Sequence, residues 1–412
     1  MTAMTGADAL AAARQERPGT LGEAAELLRQ AARENRRVVF LGGSTELSLG
    51  APPAGVEMVL GTERLERIVE HAPLDQIVTV EAGVRLASLQ AVLAGSGQML
   101  ALDAPWAARA TLGGLVATNA FGPRRTRYGS IRDLIIGISI VRADGTEARG
   151  GGKVVKNVAG FDLPKLMVGS LGTLGLVATV TFRLHPLPEA QGTVLFADLD
   201  ADGVRRVVLA LRQAQLEPAA VAALVHEGGD DLGVRFDGRF ELGVRFEGFE
   251  AGVRQQAAKL LELGTREGRG VELLDAGAAA AFWSRHDRAR EAPAGFRAKL
   301  AALPSELERV ANAALGSLFP VLEHPRAVCY PVLGLAFIAG DVRTAGPVVA
   351  AVNAAREALP QGSVVLHAAP PEVRAAVDVW GPPPAALGLM AAVKQRLDPE
   401  RRLAPGRFVG GL

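Results

Sequence analysis

The first regular pattern of apolar positions predicts a helix followed by a strand. From Leu21 to Asn35, small and apolar residues recur three and four positions apart, which places them on one face of a helix. The apolar run Val38–Leu41 follows, and residues 42–45 then form a glycine-rich turn. Helix, strand and glycine turn in this order are typical of layered α/β structure.

Three further β-branched runs predict strands at Ile77–Ala82, Ile135–Arg142 and Leu174–Leu184. The second run leads into the dipeptide of residues 144 and 145, Asp-Gly, which favours a hairpin turn. Between the first two runs, Ala110–Gly122 has neither helical nor strand periodicity. We therefore expect a long loop there, and loops of that length are usually functional.

The prolines at 186 and 188 predict a boundary, after which the pattern becomes α+β. The near-identical stretches 232–238 and 242–248 predict two antiparallel strands joined around Asp237 and Gly238. A last helical stretch at Leu387–Leu397 precedes a segment that we expect to return to the first domain. The other helices and strands predicted beyond the boundary are Ala251–Leu263, Ala276–Arg290, Glu306–Leu315 and Gly346–Leu359 as helices, and Ala327–Ile338 and Ser363–His367 as strands.

Composition and charge exclude several classes of protein. The chain has 412 residues, enough for two domains, and a net charge of +1, which argues against a nucleic-acid-binding face. Its single cysteine, Cys329, excludes a disulfide framework and an iron–sulfur cluster held by this chain alone, since such clusters take about four thiolates. The six histidines are scattered without metal-ligand spacing, so we expect no metal site.

The N-terminal pattern and the most apolar stretch predict the cellular location of the protein. Residues 1–17 lack a basic start followed by an apolar run, so they do not resemble a secretory signal. The most apolar stretch, around residues 327–339, is broken by Pro331 and is shorter than the ~20 residues that span a bilayer. We expect a cytoplasmic protein that reaches a membrane, if at all, through a partner.

Three glycine-rich segments indicate a site for a diphosphate. Successive main-chain N–H groups in such turns can hold phosphate oxygens without a cationic side chain. A nicotinamide-type Rossmann site would need G-x-G-x-x-G at the start of a helix, and the turn after Leu41 lacks that spacing. Each segment alone is also explained as an ordinary tight turn. The three segments are Leu41–Thr45, Thr111–Asn119 and Gly169–Gly175.

These motifs together resemble the FAD domain of the vanillyl-alcohol oxidase superfamily, which includes the PCMH-type FAD-binding proteins. The run from Gly152 to Leu176 is especially similar to the FAD-binding subunits of bacterial glycolate oxidases. The resemblance covers residues 20–188 closely and the rest faintly. The motifs that carry it are Gly42–Ser44, Ala110–Gly114, Ala117–Ala120, Arg127–Ser130, Arg132–Leu134, Lys156–Asp162 and Gly169–Gly175.

The resemblance implies an α+β fold in four parts. Residues 1–18 would be an N-terminal tail, and residues 19–188 a two-subdomain PCMH-type FAD-binding domain. Residues 189–375 would form an α+β cap domain, and residues 376–412 a segment that packs back on the FAD domain.

The resemblance also implies noncovalent FAD, because covalent members carry a histidine in the loop that corresponds to Leu41–Thr45, and none stands there. Family members often have asparagine before the Pro-Gly pair at 405 and 406, where this chain has Ala404, so one contact near the flavin is in question. The residues expected to contact FAD are Gly42, Gly43, Ser44, Thr45, Pro105, Thr111, Leu112, Gly113, Gly114, Thr118, Asn119, Asn157, Gly160, Gly172, Thr173, Gly175 and Val177.

Catalytic residues are harder to predict. Oxidation of a 2-hydroxy acid needs a base, a cation for the carboxylate and access to the flavin. The metal-binding histidine motif and the Glu-His-Gly motif of related D-2-hydroxy-acid dehydrogenases do not occur in this chain. His367 and Arg374 are weak candidates, although a strand histidine is more often structural. We expect Arg285 and His286 to lie on a solvated helix face.

The resemblance implies a subunit of a glycolate oxidase complex that works with a sister FAD-binding flavoprotein subunit and an iron–sulfur subunit. The substrate would be a small 2-hydroxy acid, oxidised mainly on the sister subunit. Two alternatives remain open at this point: a self-sufficient flavin oxidase for an alcohol or hydroxy acid, and a flavin-free assembly subunit of the same complex.

Overall fold

The computed structural model describes residues 10–152, 161–225, 228–230, 233–235, 238–266 and 270–412. The chain divides into two compact units. The first takes in the described residues up to Gly122, together with Tyr128–Leu187 and Pro383–Leu412. The second comprises Pro123–Arg127 and Pro188–Pro382.

The strands of the first unit form a small parallel sheet, a larger antiparallel sheet and one two-stranded ladder. The parallel sheet has the order β1-β3-β2, the antiparallel sheet β4-β5-β9-β7-β8, and the ladder joins β10 to β6. The strands are β1 (Arg14–Glu16), β2 (Val38–Leu41), β3 (Met58–Gly61), β4 (Ile68–Ala72), β5 (Ile77–Glu81), β6 (Gln98–Met99), β7 (Ile135–Val141), β8 (Glu147–Gly151), β9 (Leu176–Arg183) and β10 (His185–Pro186).

The helices up to residue 187 connect these strands. The first helix begins after Thr20, whose side chain accepts a hydrogen bond from the Glu23 amide, and it buries Ala24, Ala25 and Leu28. These residues pack with Val38, Met58 and Leu60 of the parallel sheet in one core cluster. The helices are α1 (Leu21–Arg33), α2 (Leu86–Ala94), α3 (Leu112–Thr118), α4 (Arg125–Tyr128), α5 (Ile131–Leu134) and α6 (Leu163–Met167).

The hydrophobic pattern predicted most of these elements and missed α3. The predicted helix, the strand at 38–41 and the 144–145 hairpin are confirmed, since β7 and β8 pair antiparallel around that turn. The prediction of a long loop over 110–122 is wrong, because residues 112–118 form α3. Thr111 caps its N-terminus and Asn119 ends it in the left-handed conformation, with φ 51°. Gly113 interrupts the apolar period of this helix. Glycine is required there, because a Cβ would lie 2.6 Å from the Cβ of Ala82.

The second unit is built on an eight-stranded antiparallel sheet with the order β16-β11-β15-β12-β18-β19-β17-β20. A separate two-stranded ladder joins β13 and β14. The strands are β11 (Ala190–Leu199), β12 (Ala220–Val225), β13 (Gly228–Asp230), β14 (Gly233–Arg235), β15 (Phe240–Gly248), β16 (Val271–Leu273), β17 (Phe296–Ala301), β18 (Glu323–Tyr330), β19 (Leu335–Asp341) and β20 (Ser363–Ala368). The helices are α7 (Ala201–Gln213), α8 (Glu250–Arg266), α9 (Ala276–Glu291), α10 (Leu307–Ala311), α11 (Ala345–Ala358) and α12 (Pro371–Ala376).

Two strand predictions in this unit are wrong in detail. The run predicted over 327–338 forms two paired strands, because Pro331 opens a short turn and Gly334 adopts a left-handed conformation. The predicted hairpin around Asp237 and Gly238 does not pair as expected. Both edges of β15 are occupied by β11 and β12, and β14 pairs with β13 instead. Asp237 itself lies outside the described residues.

The C-terminal segment belongs to the first unit. It contains helix α13 (Leu387–Leu397), where the sequence predicted a helix. Beyond it, the Val38 amide donates to the carbonyl of Arg402, and the Ala404 amide donates back to the carbonyl of Val38. In the described part of the chain, no helix is long and apolar enough to cross a membrane.

Candidate functional site

A cleft opens in the first unit between the loop after β2, helix α3 and the loop before β9. The three predicted glycine segments therefore meet at one place. Four predicted FAD residues are in the same unit but do not line the cleft, namely Pro105, Leu112, Asn119 and Thr173, and two others, Asn157 and Gly160, lie outside the described residues. The predicted residues that line it are Gly42, Gly43, Ser44, Thr45, Thr111, Gly113, Gly114, Thr118, Gly172, Gly175 and Val177.

The loop of residues 43–45 presents three consecutive main-chain N–H groups at the cleft. Within the described part of the chain, the amides of Gly43, Ser44 and Thr45 donate to no protein acceptor. Ser44 adopts a left-handed conformation with φ 56°. Successive unsatisfied amides around a left-handed residue form a concave donor site for an anion. This loop fits a phosphate group.

The two glycines that precede Ser44 are required by packing. A Cβ on Gly42 would lie 2.2 Å from Oγ1 of Thr111, and one on Gly43 would lie 1.9 Å from the carbonyl oxygen of Arg109. The loop can therefore lie against residues 109–111 only without side chains at these positions. These glycines therefore have a packing role in addition to the predicted one, which is to let the main chain approach a phosphate closely.

The first amides of α3 are already satisfied by the protein. Leu112 donates to the carbonyl of Val84, Gly113 to that of Ala82, and Gly114 to Oγ1 of Thr111 at 3.3 Å. An anion in the cleft would find its free amides in the 43–45 loop rather than at the start of this short helix. The first turn of α3 instead supports that loop and lines the cleft wall.

The loop of residues 169–175 is docked on the other end of α3. Gly169 donates to the carbonyl of Val116 at 2.9 Å, and Leu171 donates to that of Ala117 at 2.8 Å. These bonds bring donors to the last carbonyls of the helix, of which that of Val116 also accepts from the Asn119 amide at 3.3 Å. Gly172 then turns with φ 75°, and within the described residues its amide has no acceptor.

Two buried polar side-chain atoms beside this loop lack partners. Oγ of Ser170 and Oδ1 of Asn119 are both inaccessible to solvent and make no hydrogen bond within the described part of the chain. Buried polar atoms without partners cost about 1–3 kcal/mol each, so they are rare unless a ligand completes them. Neither residue lines the cleft, so the suitability of the cleft for a ligand with several acceptors rests on the set of free amides.

Arg407 lines the cleft and was not among the predicted site residues. Its guanidinium donates to the main-chain carbonyls of Glu46, Leu47 and Leu49 at 3.2–3.3 Å. Burial lowers the pKa of Arg407 to about 10, while the carboxylate of Glu46 opposes that shift, so the group stays charged near neutral pH. The sequence signal for Arg407 is its place directly after the Pro-Gly pair at 405 and 406.

The weak catalytic candidates belong to the second unit. His367 is half-buried on β20. Arg374 lies on α12 and donates from Nε to the carbonyl of Ala369 at 2.8 Å, and burial lowers its pKa. Their catalytic role stays a prediction.

The prediction that His286 lies on a solvated face is wrong. The residue is 3% exposed, and its Nε2 lies 2.9 Å from the hydroxyl of Tyr330. The same hydroxyl accepts a hydrogen bond from Arg290 at 2.8 Å, and Nδ1 of His286 lies 2.9 Å from a carboxylate oxygen of Asp287. Arg285 is half-exposed and paired with Glu241, as expected of a surface helix position. Sequence periodicity could not show that α9 turns its histidine toward β18.

Residues 13–151 match the family described as the FAD binding domain. This segment contains two of the three glycine clusters and most of the cleft wall. Most of the residues that line the cleft lie in this matched segment, and the free amides of residues 43–45 suit the diphosphate of FAD.

Three curated relatives are similar to part of this chain. Glycolate oxidase subunit GlcE of Escherichia coli is 37% identical over 167 residues, 40% of this chain and 47% of that protein. D-2-hydroxyglutarate dehydrogenase of Xanthomonas citri is 35% identical over 201 residues, which cover 48% and 43% of the two chains. Glycolate oxidase subunit GlcD of Bacillus subtilis is 33% identical over 187 residues, 45% and 40%. The aligned part spans less than half of each of these relatives.

Solved structures show that the fold extends over almost the whole chain. A p-cresol methylhydroxylase structure with substrate bound matches with a TM-score of 0.75 and 16% identity, covering 95% of this chain and 88% of that one. Alkyldihydroxyacetonephosphate synthase matches with a TM-score of 0.69 and 14% identity, covering 95% and 76%. At these identities the likeness establishes the fold alone, which is mixed α and β as predicted.

Proposed function

We propose that this chain is the FAD-binding subunit of a glycolate, or more generally 2-hydroxy-acid, oxidase or dehydrogenase complex. In this proposal glycolate loses a hydride from C2 and a proton from its hydroxyl group and becomes glyoxylate. Bound FAD supplies the two-electron acceptor, and the electrons continue to an iron–sulfur partner. The observation that carries the proposal is the cleft with three free amides in the FAD binding domain.

The names of the relatives support the substrate class. GlcE and GlcD are both called subunits of glycolate oxidase, and the Xanthomonas relative is called a D-2-hydroxyglutarate dehydrogenase. All three names refer to 2-hydroxy acids. Two of them refer to subunits, which favours a complex over a self-sufficient oxidase.

The cysteine content supports an iron–sulfur partner. The chain has one cysteine, Cys329, and it is buried in β18 with a pKa raised to about 12 by burial. Such a thiol is protonated at neutral pH and is a poor metal ligand. Among the described residues, no group of three or more His, Cys, Asp or Glu could hold a metal ion. Onward electron transfer through a cluster would therefore need another chain.

The residues that line the cleft also support the proposal that a sister flavoprotein subunit, and not this chain, oxidises the substrate. Deprotonation of the substrate hydroxyl requires a base near the flavin. None of the described residues that line the cleft is a histidine, and its one carboxylate, Glu46, lies beside the cation Arg407. We infer that hydroxy-acid oxidation takes place mainly on the sister subunit, while this chain contributes its FAD to electron relay or assembly.

Dye-linked assays of the isolated chain and of the assembled complex test this proposal. The purified, FAD-loaded chain is mixed with glycolate or D-lactate and an artificial electron acceptor, and dye reduction and flavin bleaching are recorded. We expect slow bleaching for the chain alone and fast turnover once the sister and iron–sulfur subunits are added. Fast turnover by the isolated chain would contradict the proposal and favour a self-sufficient oxidase. A chain that assembles without flavin would favour the assembly subunit.

A further inference from the structure

The C-terminal segment places two buried cations against the two loops of the FAD cleft. Lys394 of α13 has a side chain that is 2% exposed, and it contacts the loop before β9. Arg407 is also buried and contacts the loop after β2. Both residues lie far beyond the FAD binding domain as matched over residues 13–151. The segment therefore reaches the cleft from outside that domain's sequence.

Lys394 has three acceptors, one for each N–H of its ammonium group. Nζ lies 2.7 Å from the carbonyl oxygen of Thr173, 2.7 Å from Oδ2 of Asp398 and 2.9 Å from the carbonyl oxygen of Leu403. Thr173 stands between Gly172 and Gly175, both of which line the cleft. The ammonium group thus holds the middle of the loop that carries the free Gly172 amide.

Asp398 completes this pair without leaving an unsatisfied oxygen. Its side chain is fully buried, Oδ1 accepts from the Arg402 amide at 3.1 Å, and Oδ2 accepts from the Leu403 amide at 2.8 Å in addition to Lys394. A buried ion pair rarely stabilises a fold more than apolar side chains would, because desolvation offsets the attraction. Such a pair is better explained by the geometry that it imposes, here the position of the 172–175 loop relative to the C-terminal turn.

Arg407 acts on the second loop in the same way. The three carbonyls that accept from its guanidinium belong to residues 46, 47 and 49, directly after the free amides of 43–45. A planar guanidinium can bind several carbonyls in a fixed arrangement, which an ammonium group cannot reproduce. Each of the two amide-bearing loops is thus held by a buried cation of the C-terminal segment.

We propose that Lys394, through its pair with Asp398, and Arg407 are positioning residues for the two loops that carry the free amides of the cleft. They act through Thr173 and through residues 46–49 and need no contact with the flavin. The proposal rests on FAD binding by the cleft and is independent of the oxidase activity.

The test compares FAD binding by the full-length chain and by variants in the Lys394 pair. Because Lys394→Met alone would leave the Asp398 carboxylate buried and unpaired, the decisive variant is the double substitution Lys394→Met with Asp398→Asn. Lys259→Met, which removes one side of an exposed pair in the second unit, is the matched control. Each protein is stripped of flavin and titrated with FAD well below its melting temperature, and the visible circular dichroism of bound flavin is recorded.

We expect the folded double variant to bind FAD about tenfold more weakly, as the loss of one or two amide hydrogen bonds implies, and to show an altered flavin dichroism. A purely structural role would lower the melting temperature and leave both readouts unchanged, and that result would overturn the proposal. Wild-type chain that takes up no FAD would instead refute the FAD site itself.

A second variant pair tests Arg407. Arg407→Lys keeps the positive charge and loses the three-carbonyl arrangement, whereas Arg407→Met loses both. If Arg407 positions the loop, both variants weaken FAD binding to a similar extent. Full rescue by lysine would contradict positioning, since it would show that the charge alone matters.

Discussion

At the residue scale, a Cβ atom on Gly43 would come within 1.9 Å of the Arg109 carbonyl oxygen, and one on Gly42 would contact the Thr111 hydroxyl. A Cβ cannot lie that close to a backbone oxygen, so the 42–45 loop can lie against Arg109 only with glycine at position 43. A Cβ at position 42 would displace the Thr111 side chain that caps α3. Ala404 has φ 43°, a conformation in which asparagine is enriched. The asparagine that family members often carry there thus fits the backbone, and the Ala404 amide still donates to Val38.

Alanine at position 43 should damage the cofactor loop. Gly43→Ala forces the loop away from Arg109, and we expect a loss of about 1–3 kcal/mol in the free energy of unfolding. FAD affinity should fall with it, because the free amides of 43–45 move with the loop. Chemical denaturation and FAD titration measure the two effects.

The matched control for this substitution is Gly22→Ala, at an exposed position of helix α1 in the same unit. A Cβ there meets no atom within 4 Å, so alanine should raise stability by roughly 0.5–1 kcal/mol and leave FAD affinity unchanged. If Gly43→Ala behaved like this control, the packing account of the loop would be wrong.

At the element scale, helix α3 supports both cofactor loops. The 42–43 turn packs against Thr111 at its start, and the 169–171 segment donates to carbonyls near its end. The sequence did not predict this helix, because glycines at 113 and 114 lower helix propensity and interrupt the apolar period. The cap provided by Thr111 and the close contact of Gly113 with Ala82 override that preference, and neither can be read from the local sequence.

The two threonine caps of the first unit allow a direct test of this role. Thr111→Val and Thr20→Val each remove a hydroxyl that accepts from a first-turn amide, in α3 and α1 respectively. Each should lower the free energy of unfolding by about 1 kcal/mol. We expect FAD affinity to fall in Thr111→Val alone, since α1 contacts neither cofactor loop in this account. Equal FAD affinities in the two variants would contradict the supporting role of α3.

At the scale of the whole molecule, the pattern of apolar and polar positions in the sequence predicted the α+β architecture and most of the helices and strands. What it could not show was how distant segments complete one another. Arg407 lies more than 350 residues beyond the Glu46–Leu49 carbonyls that it binds. The buried position of His286 likewise depends on β18, which follows it by some forty residues. Long-range contacts of this kind leave no periodic signal in the sequence.

The most direct test of the FAD assignment is the absorbance spectrum of the purified chain, before and after acid precipitation and after titration with FAD. We expect a yellow protein, or an apoprotein that takes up about one FAD per chain, whose flavin is released into the supernatant by acid. Colour that stays with the precipitate would contradict noncovalent binding. A colourless chain that takes up no added FAD would contradict the central claim that the free amides of residues 43–45 and the surrounding cleft hold this cofactor.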